Sequence, residues 1–159
     1  MKNKITEKLF TLIYTDPMTG VKNRNSYEEE LEQLRRKNIK LDNVMVIAVE
    51  ITNLKTINES YGNRTGDEII KTVAKCLIKT IGTKSDVYRI SGKEFMCITE
   101  KDVLGYISEF RDLISFENSE RKIPFIVSIG YMKFDVHTQK TIDDLIIGCD
   151  AKMRESRKK

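Results

Sequence analysis

The residues with the most chemistry per position lie in Tyr88 to Ile98, where Lys93 and Glu94 stand side by side in a polar turn between two apolar runs. Val87, Tyr88 and Ile90 lead in, and Phe95, Met96 and Ile98 lead out. The pattern predicts a β-hairpin whose Gly92 supplies a positive φ within Ser91-Gly92-Lys93. A second charged position, Glu50, closes the apolar run Val44 to Val49. An acid at the end of a central strand points into a ligand crevice or simply marks where the strand meets water, and position alone favours the second reading. Asn53, Leu54 and Lys55 then turn from that strand into a short helix. Its first amide N–H groups are free for an anion, with a Lys beside them. The stretch lacks the glycines and the G-K-[ST] ending of a Walker loop.

The remaining chemistry is narrow. One histidine, His137, in a polar stretch argues against a His-based metal site or a Ser/His/Asp triad. Cys76, Cys97 and Cys149 are odd in number, far apart and set in apolar segments, so they read as small core residues. What remains is carboxylate, Lys and backbone. The net charge of +4 is modest and gathers visibly at Arg154, Arg157, Lys158 and Lys159, which suits the negative end of a helix dipole. No basic stripe is interleaved with aromatics, so no nucleic-acid partner is expected. No apolar run approaches the roughly 20 residues of a membrane span, and Met1 to Glu7 has no leader-like core, so a cytoplasmic location is expected.

The elements that must position these residues follow from periodicity. Ile5, Leu9, Leu12 and Ile13 predict a lead-in helix over 1–14, ahead of a single domain over 15–159. Asp16-Pro17-Met18-Thr19-Gly20 is a turn cluster, and a helix with Tyr27, Leu31 and Leu34 on one face begins after Asn25 or Ser26. The run from Val44 predicts a central strand buried on both faces. Thr65-Gly66-Asp67-Glu68 reads as a capping box before the stripe Ile69 to Ile81, with Asp67 in the first turn of a long helix. A helix from Val103 to Ile114, a strand over 123–131 and a closing helix from Ile142 to Met153 complete an α/β (α+β) pattern. Gly130 within that strand marks a bulge or a close backbone approach.

Five segments in order resemble the GGDEF family, the diguanylate cyclase domain. Asp16 to Arg24 is similar to D-x-L-T-G-L-x-N-R. Glu50 to Asn63 with Gly66-Asp67 is in register with D-x-D-x-F-K-x-I-N-D-x-Y-G-H-x-x-G-D. Arg89 to Phe95 stands where R-Y-G-G-D-E-F belongs, and Val127 to Gly130 and Asp150 to Met153 resemble the later S-x-G strand and closing helix. The resemblance implies a central, mostly antiparallel sheet surrounded by helices, as in class III nucleotidyl cyclases. It implies a reaction that joins two GTP molecules, each held by one domain of a pair, with Mg²⁺ as cofactor. The implied partners are GTP or a related guanine nucleotide, a second GGDEF domain as homodimer or heterodimer, and an upstream sensor.

Carried over by position, Asn58 and Asp67 read the guanine edge. Asn53, Leu54, Lys55, Ser91, Gly92 and Arg157 surround the phosphates, and Lys93 and Glu94 occupy the signature positions. The metal would fall to Glu50, the Ile51 main-chain carbonyl and Glu94. The family carries acids at the positions of Lys93 and Thr52, and Lys93 puts a cation where a Mg²⁺ ligand is expected. The product-binding R-x-x-D motif is absent at Gly82-Thr83-Lys84-Ser85, so no product inhibition through that site is expected. Three readings follow: a cyclase-impaired domain that binds a guanine nucleotide, an active diguanylate cyclase using Glu50, Ile51 and Glu94, or a ligand-free structural module.

Overall fold

The computed structural model describes residues 2–36, 41–139 and 141–158; Met1 of the expected lead-in helix and Lys159 of the basic cluster lie outside them. The helices are α1 (Lys2–Tyr14), α2 (Arg24–Arg36), α3 (Leu54–Tyr61), α4 (Asn63–Lys79), α5 (Leu104–Ser119) and α6 (Ile142–Ser156). The strands β1 (Met45–Ile51), β2 (Asp86–Arg89), β3 (Glu94–Thr99) and β4 (Val127–Lys133) form one sheet in the order β2-β3-β1-β4. Every pairing is antiparallel. No helix among the described residues is long and apolar enough to cross a membrane.

All seven residues of β1 are buried, as expected of a strand covered on both faces. Alternation divides them between two cores. Met45, Ile47, Val49 and Ile51 pack with residues of α3, α4 and α5, including Leu54, Ile69, Leu77 and Phe110. Val46 and Ala48 pack with residues of α2 and α6, including Leu31, Leu34, Leu145 and Met153. Gly130 of β4 is the close approach its position in a strand suggested. A Cβ there would lie 2.5 Å from the Cys149 carbonyl oxygen and 2.8 Å from the Met153 Cα, so α6 rests directly on the strand.

Local differences from the expected elements have identifiable causes. The capping box at Thr65 does not form: α4 begins two residues earlier, at Asn63, directly after Gly62 with φ +86°, and the Thr65 hydroxyl donates instead to the Tyr61 carbonyl at 3.0 Å. Asp67 therefore lies beyond the first turn. The last strand starts at Val127, not at 123. Upstream, Asn118 brackets the Phe125 backbone and the Asn53 side chain accepts from Ile126 N at 2.8 Å, holding the segment after Pro124 outside the ladder. Gly92 does not take a positive φ; among the described residues only Gly20 and Gly62 do.

The three cysteines are buried free thiols. Burial pushes Cys97 and Cys149 up to about 12 and Cys76 up to about 11. Because the thiolate is the reactive form, native protein is expected to show no fast reaction with a thiol-specific disulfide reagent at pH 8, and all three cysteines should react after denaturation. Rapid labelling of native protein would place a thiol at the surface.

Candidate functional site

The site gathers at the end of β1 where the β2–β3 turn and the C-terminus of α6 meet. Glu50 lies inside the strand and only 1% of its surface is exposed, so it does not mark the point where β1 reaches water. It sits on the sheet face covered by α6, opposite Glu94 on β3 and Ser128 on β4. Lys93 brings its Nζ to 2.7 Å from Glu50 Oε1. From the far end of the chain, the Arg157 guanidinium lies against Glu50 Oε2, as a charge contact without a directed hydrogen bond. One buried carboxylate is thus held between two cations whose outer parts remain in solvent. A carboxylate this deep requires such compensation, because an unpaired buried charge costs several kcal/mol.

The turn itself is tied down from the opening loop. Asp16 holds Arg89 through both carboxylate oxygens, at 3.2 and 3.1 Å. Arg89 in turn donates to the Gly92 carbonyl at 3.0 Å, and Arg24 donates to the Ile90 carbonyl at 3.3 Å. Asp16 also accepts from the Thr19 amide and hydroxyl at 3.0 and 2.6 Å, closing the turn cluster. Ile51 N donates to the Lys93 carbonyl at 3.0 Å, which locks Lys93 to the end of β1. The Glu94 carboxylate, at the strand position opposite Glu50, accepts from the Ser91 hydroxyl at 2.7 Å.

The other candidate residues lie on α3 and α4. Asn53 uses its side chain on the Pro124 carbonyl and the Ile126 amide, so only its main chain is free for an anion. Leu54 is buried and would contribute through its amide alone. Lys55 is exposed, with Glu59 at 3.9 Å. Asn58 Oδ1 is buried without a hydrogen-bond partner and fills the space over Gly66, where a Cβ would meet Asn58 Cγ at 2.8 Å. That orphaned acceptor lies over Gly66, the residue before half-buried Asp67, on the helix that α3 packs against. An unsatisfied buried amide oxygen is costly, and a ligand N–H would satisfy it.

A family model for "Diguanylate cyclase, GGDEF domain" matches residues 13–159. The chain belongs to the GGDEF family. Among curated relatives, diguanylate cyclase DgcS of Shewanella oneidensis is 30% identical over 89 residues, covering 55% of this chain and 30% of DgcS. Probable diguanylate cyclase DgcT of Escherichia coli is 28% identical over 126 residues, covering 75% of this chain and 28% of DgcT. The chain thus spans under a third of the length of these two relatives. The coiled coil and GGDEF domain of DgcB from Caulobacter crescentus, solved with c-di-GMP, superimposes with a TM-score of 0.81 at 19% identity, covering 98% of this chain and 86% of that one. The FimX GGDEF domain of Pseudomonas aeruginosa gives 0.74 at 17% identity, covering 92% and 95%.

The acids that the family register assigns to a divalent metal are engaged within the chain. Among the described residues no three of His, Cys, Asp and Glu converge on one point. The chemistry of the donor set agrees: both oxygens of Glu50 face cations, the neighbouring signature position is itself a cation, and Glu94 is engaged by Ser91. Sequence reasoning placed Lys93 and Glu50 together through the family register. It assigned Arg157 to phosphate, and nothing in the basic C-terminal run distinguishes the one residue that reaches back to β1.

Proposed function

We propose that this GGDEF domain acts in cyclic di-GMP signalling with its cyclase chemistry impaired or lost, binding a guanine nucleotide as a regulatory module. The observation that carries the reading is the Lys93–Glu50–Arg157 cluster. A fixed ammonium stands where a metal ligand is expected and neutralises the remaining acid, so the triphosphate would be met by Lys93, Arg157 and the first amides of α3. Coulomb repulsion between Lys93 and a divalent ion disfavours the two-metal arrangement that activates a hydroxyl. The unpaired Asn58 acceptor over Gly66, the residue before Asp67, supports guanine recognition, an amide and a carboxylate matching the donors on that base edge. Pairing with a second GGDEF domain is supported by α1, whose Ile5, Leu9 and Leu12 are exposed along one face.

Titration calorimetry with GTP is expected to give the same affinity, within about twofold, in EDTA and in millimolar Mg²⁺, with no cyclic di-GMP formed. Asn58→Ala and Asp67→Ala should each weaken binding by roughly tenfold, the loss of about one hydrogen bond to a charged or buried group. Binding that requires Mg²⁺, together with accumulation of product, would instead establish an active cyclase. Lys93→Asp sharpens the distinction: a large gain in Mg²⁺-dependent product would identify Lys93 as the disabling residue. Thermal shifts of zero with GTP in the parent and in both pocket variants would leave a structural module.

A further inference from the structure

A glycine inside a helix is unfavourable beside alanine, because it loses more backbone freedom on folding and packs no side chain in return. Gly66 is nonetheless a buried residue of α4. Among the described residues three glycines lie in α-helices, and they differ in what a methyl group would meet. Gly105 faces open space, and at Gly148 the obstacle is the end of the Met132 side chain, with Sδ at 2.7 Å, which can swing aside. At Gly66 the obstacle is the short carboxamide of Asn58, with Oδ1 nearest and Cγ at 2.8 Å, followed by Leu54 Cδ1 at 3.2 Å. Only a hydrogen on that Cα leaves room for the Asn58 side chain.

Neither helix is free to back away. The two meet at Gly62, whose amide donates to the Asn58 carbonyl at 3.0 Å and whose carbonyl accepts from the Thr65 amide at 3.2 Å. Beyond that corner, Leu54 and Ile57 of α3 share one buried cluster with Ile69, Ile70 and Val73 of α4. The side chain has few alternatives either, since a helix leaves it essentially two χ1 rotamers. A carboxamide pushed off Gly66 therefore turns out of the gap between the helices. Its Oδ1, now buried without a hydrogen-bond partner, would then be solvated and no longer held for a ligand N–H.

We propose that Gly66 is a positioning residue for base selection, resting on the guanine-nucleotide reading above: its missing Cβ holds the Asn58 acceptor between α3 and α4 and so sets the preference for guanine. Asp67 is the next residue, so a shift of α4 that made room for a methyl group would move the carboxylate as well. Guanine presents an N1–H and a 2-amino group as donors, and adenine has neither. A site whose buried acceptors await those donors rejects the base that lacks them, so losing the acceptor removes discrimination and not merely affinity.

Titration calorimetry in EDTA with GTP and with ATP is expected to show GTP bound at least roughly tenfold tighter by the parent. Gly66→Ala should bring that ratio below about threefold, as Asn58→Ala does, while ATP binding stays within about twofold of the parent. Adding Gly66→Ala to Asn58→Ala should leave the ratio of the single Asn58 variant unchanged and raise its melting temperature, because alanine brings its helix propensity once the carboxamide is gone. If Gly66→Ala alone does not fold, recovery of the fold in the double variant shows that the space is kept for Asn58, and a double variant that also fails to fold overturns the proposal. A Gly66→Ala protein that keeps the parent's preference for GTP overturns it too. So does an equal loss of both nucleotides, the mark of a purely structural residue. A parent that binds neither nucleotide, or binds them alike, sinks the guanine-nucleotide reading and this proposal with it, a failure told apart from the others because it appears before any substitution is made.

Discussion

Replacing Lys93 and Arg157 together by Ala is expected to destabilise the domain by about 3–5 kcal/mol, the typical cost of leaving a buried ion without its partner. Glu50 is the reason. Its side chain is 2% exposed in β1, and the two oxygens face the two cations. Neither cation is buried: their side chains are 49% and 39% exposed, so losing them removes little packing. What remains is a carboxylate held in place by the strand. For a domain of this size the loss corresponds to roughly 10 °C in Tm. Adding Glu50→Gln to the double variant should recover most of it, because a neutral amide of the same shape is far cheaper to bury than an unpaired charge. Urea unfolding of the parent, the double and the triple variant checks this. If the double variant loses under about 1 kcal/mol, water already solvates Glu50 and the clamp is a surface feature.

The family register gave Glu50, Lys93, Asn58 and Asp67 their positions because each belongs to a local motif of fixed spacing, and apolar patterning located the strand, hairpin and helices that carry those motifs. The same register carried Arg157 to the phosphates, but its contact with Glu50 was not legible, because that partner lies on the first strand and one cation in a basic helix end carries no local signal of a contact that only the packing of α6 creates. The cap assigned to Thr65 failed for a related reason. A capping box is a sequence pattern, but Gly62 with its positive φ lets the chain re-enter a helix at Asn63 and leaves Thr65 inside it. The start of the last strand was misplaced because Ile123 to Ile126 has strand composition, while Asn53 and Asn118 take its backbone groups. Tertiary hydrogen bonds override β propensity there. Burial of Glu50 is the most instructive difference. Its place after an apolar run suggested a strand end in water, and only the arrival of Arg157 and Lys93 makes burial there affordable.

Gly130→Ala is the second large effect, and it acts on the same carboxylate from a distance. The new Cβ would meet the Met153 amide and lie 2.5 Å from the Cys149 carbonyl. Both obstacles are helix backbone, which no rotamer change can move aside. Either α6 lifts from the sheet or β4 bends away, and overpacking of this kind costs about 3 kcal/mol. Lifting the helix also loosens the buried contacts of Leu145, Cys149 and Met153 and the Cys149 thiol contacts with the carbonyls of Val46 and Gly130, each at 3.4 Å. Arg157 caps the same helix four residues beyond Met153, so a displaced α6 withdraws the guanidinium from Glu50. The variant should therefore show two linked changes: a lower urea midpoint, and a Glu50 held by Lys93 alone. A double-mutant cycle of Gly130→Ala with Arg157→Ala measures the link, since mutations that disrupt a shared contact combine to less than their sum. A shortfall of at least about 0.5 kcal/mol is expected. Strict additivity would mean that the helix accommodates the methyl group without moving its C-terminus, and that the strand and the clamp on Glu50 are held independently.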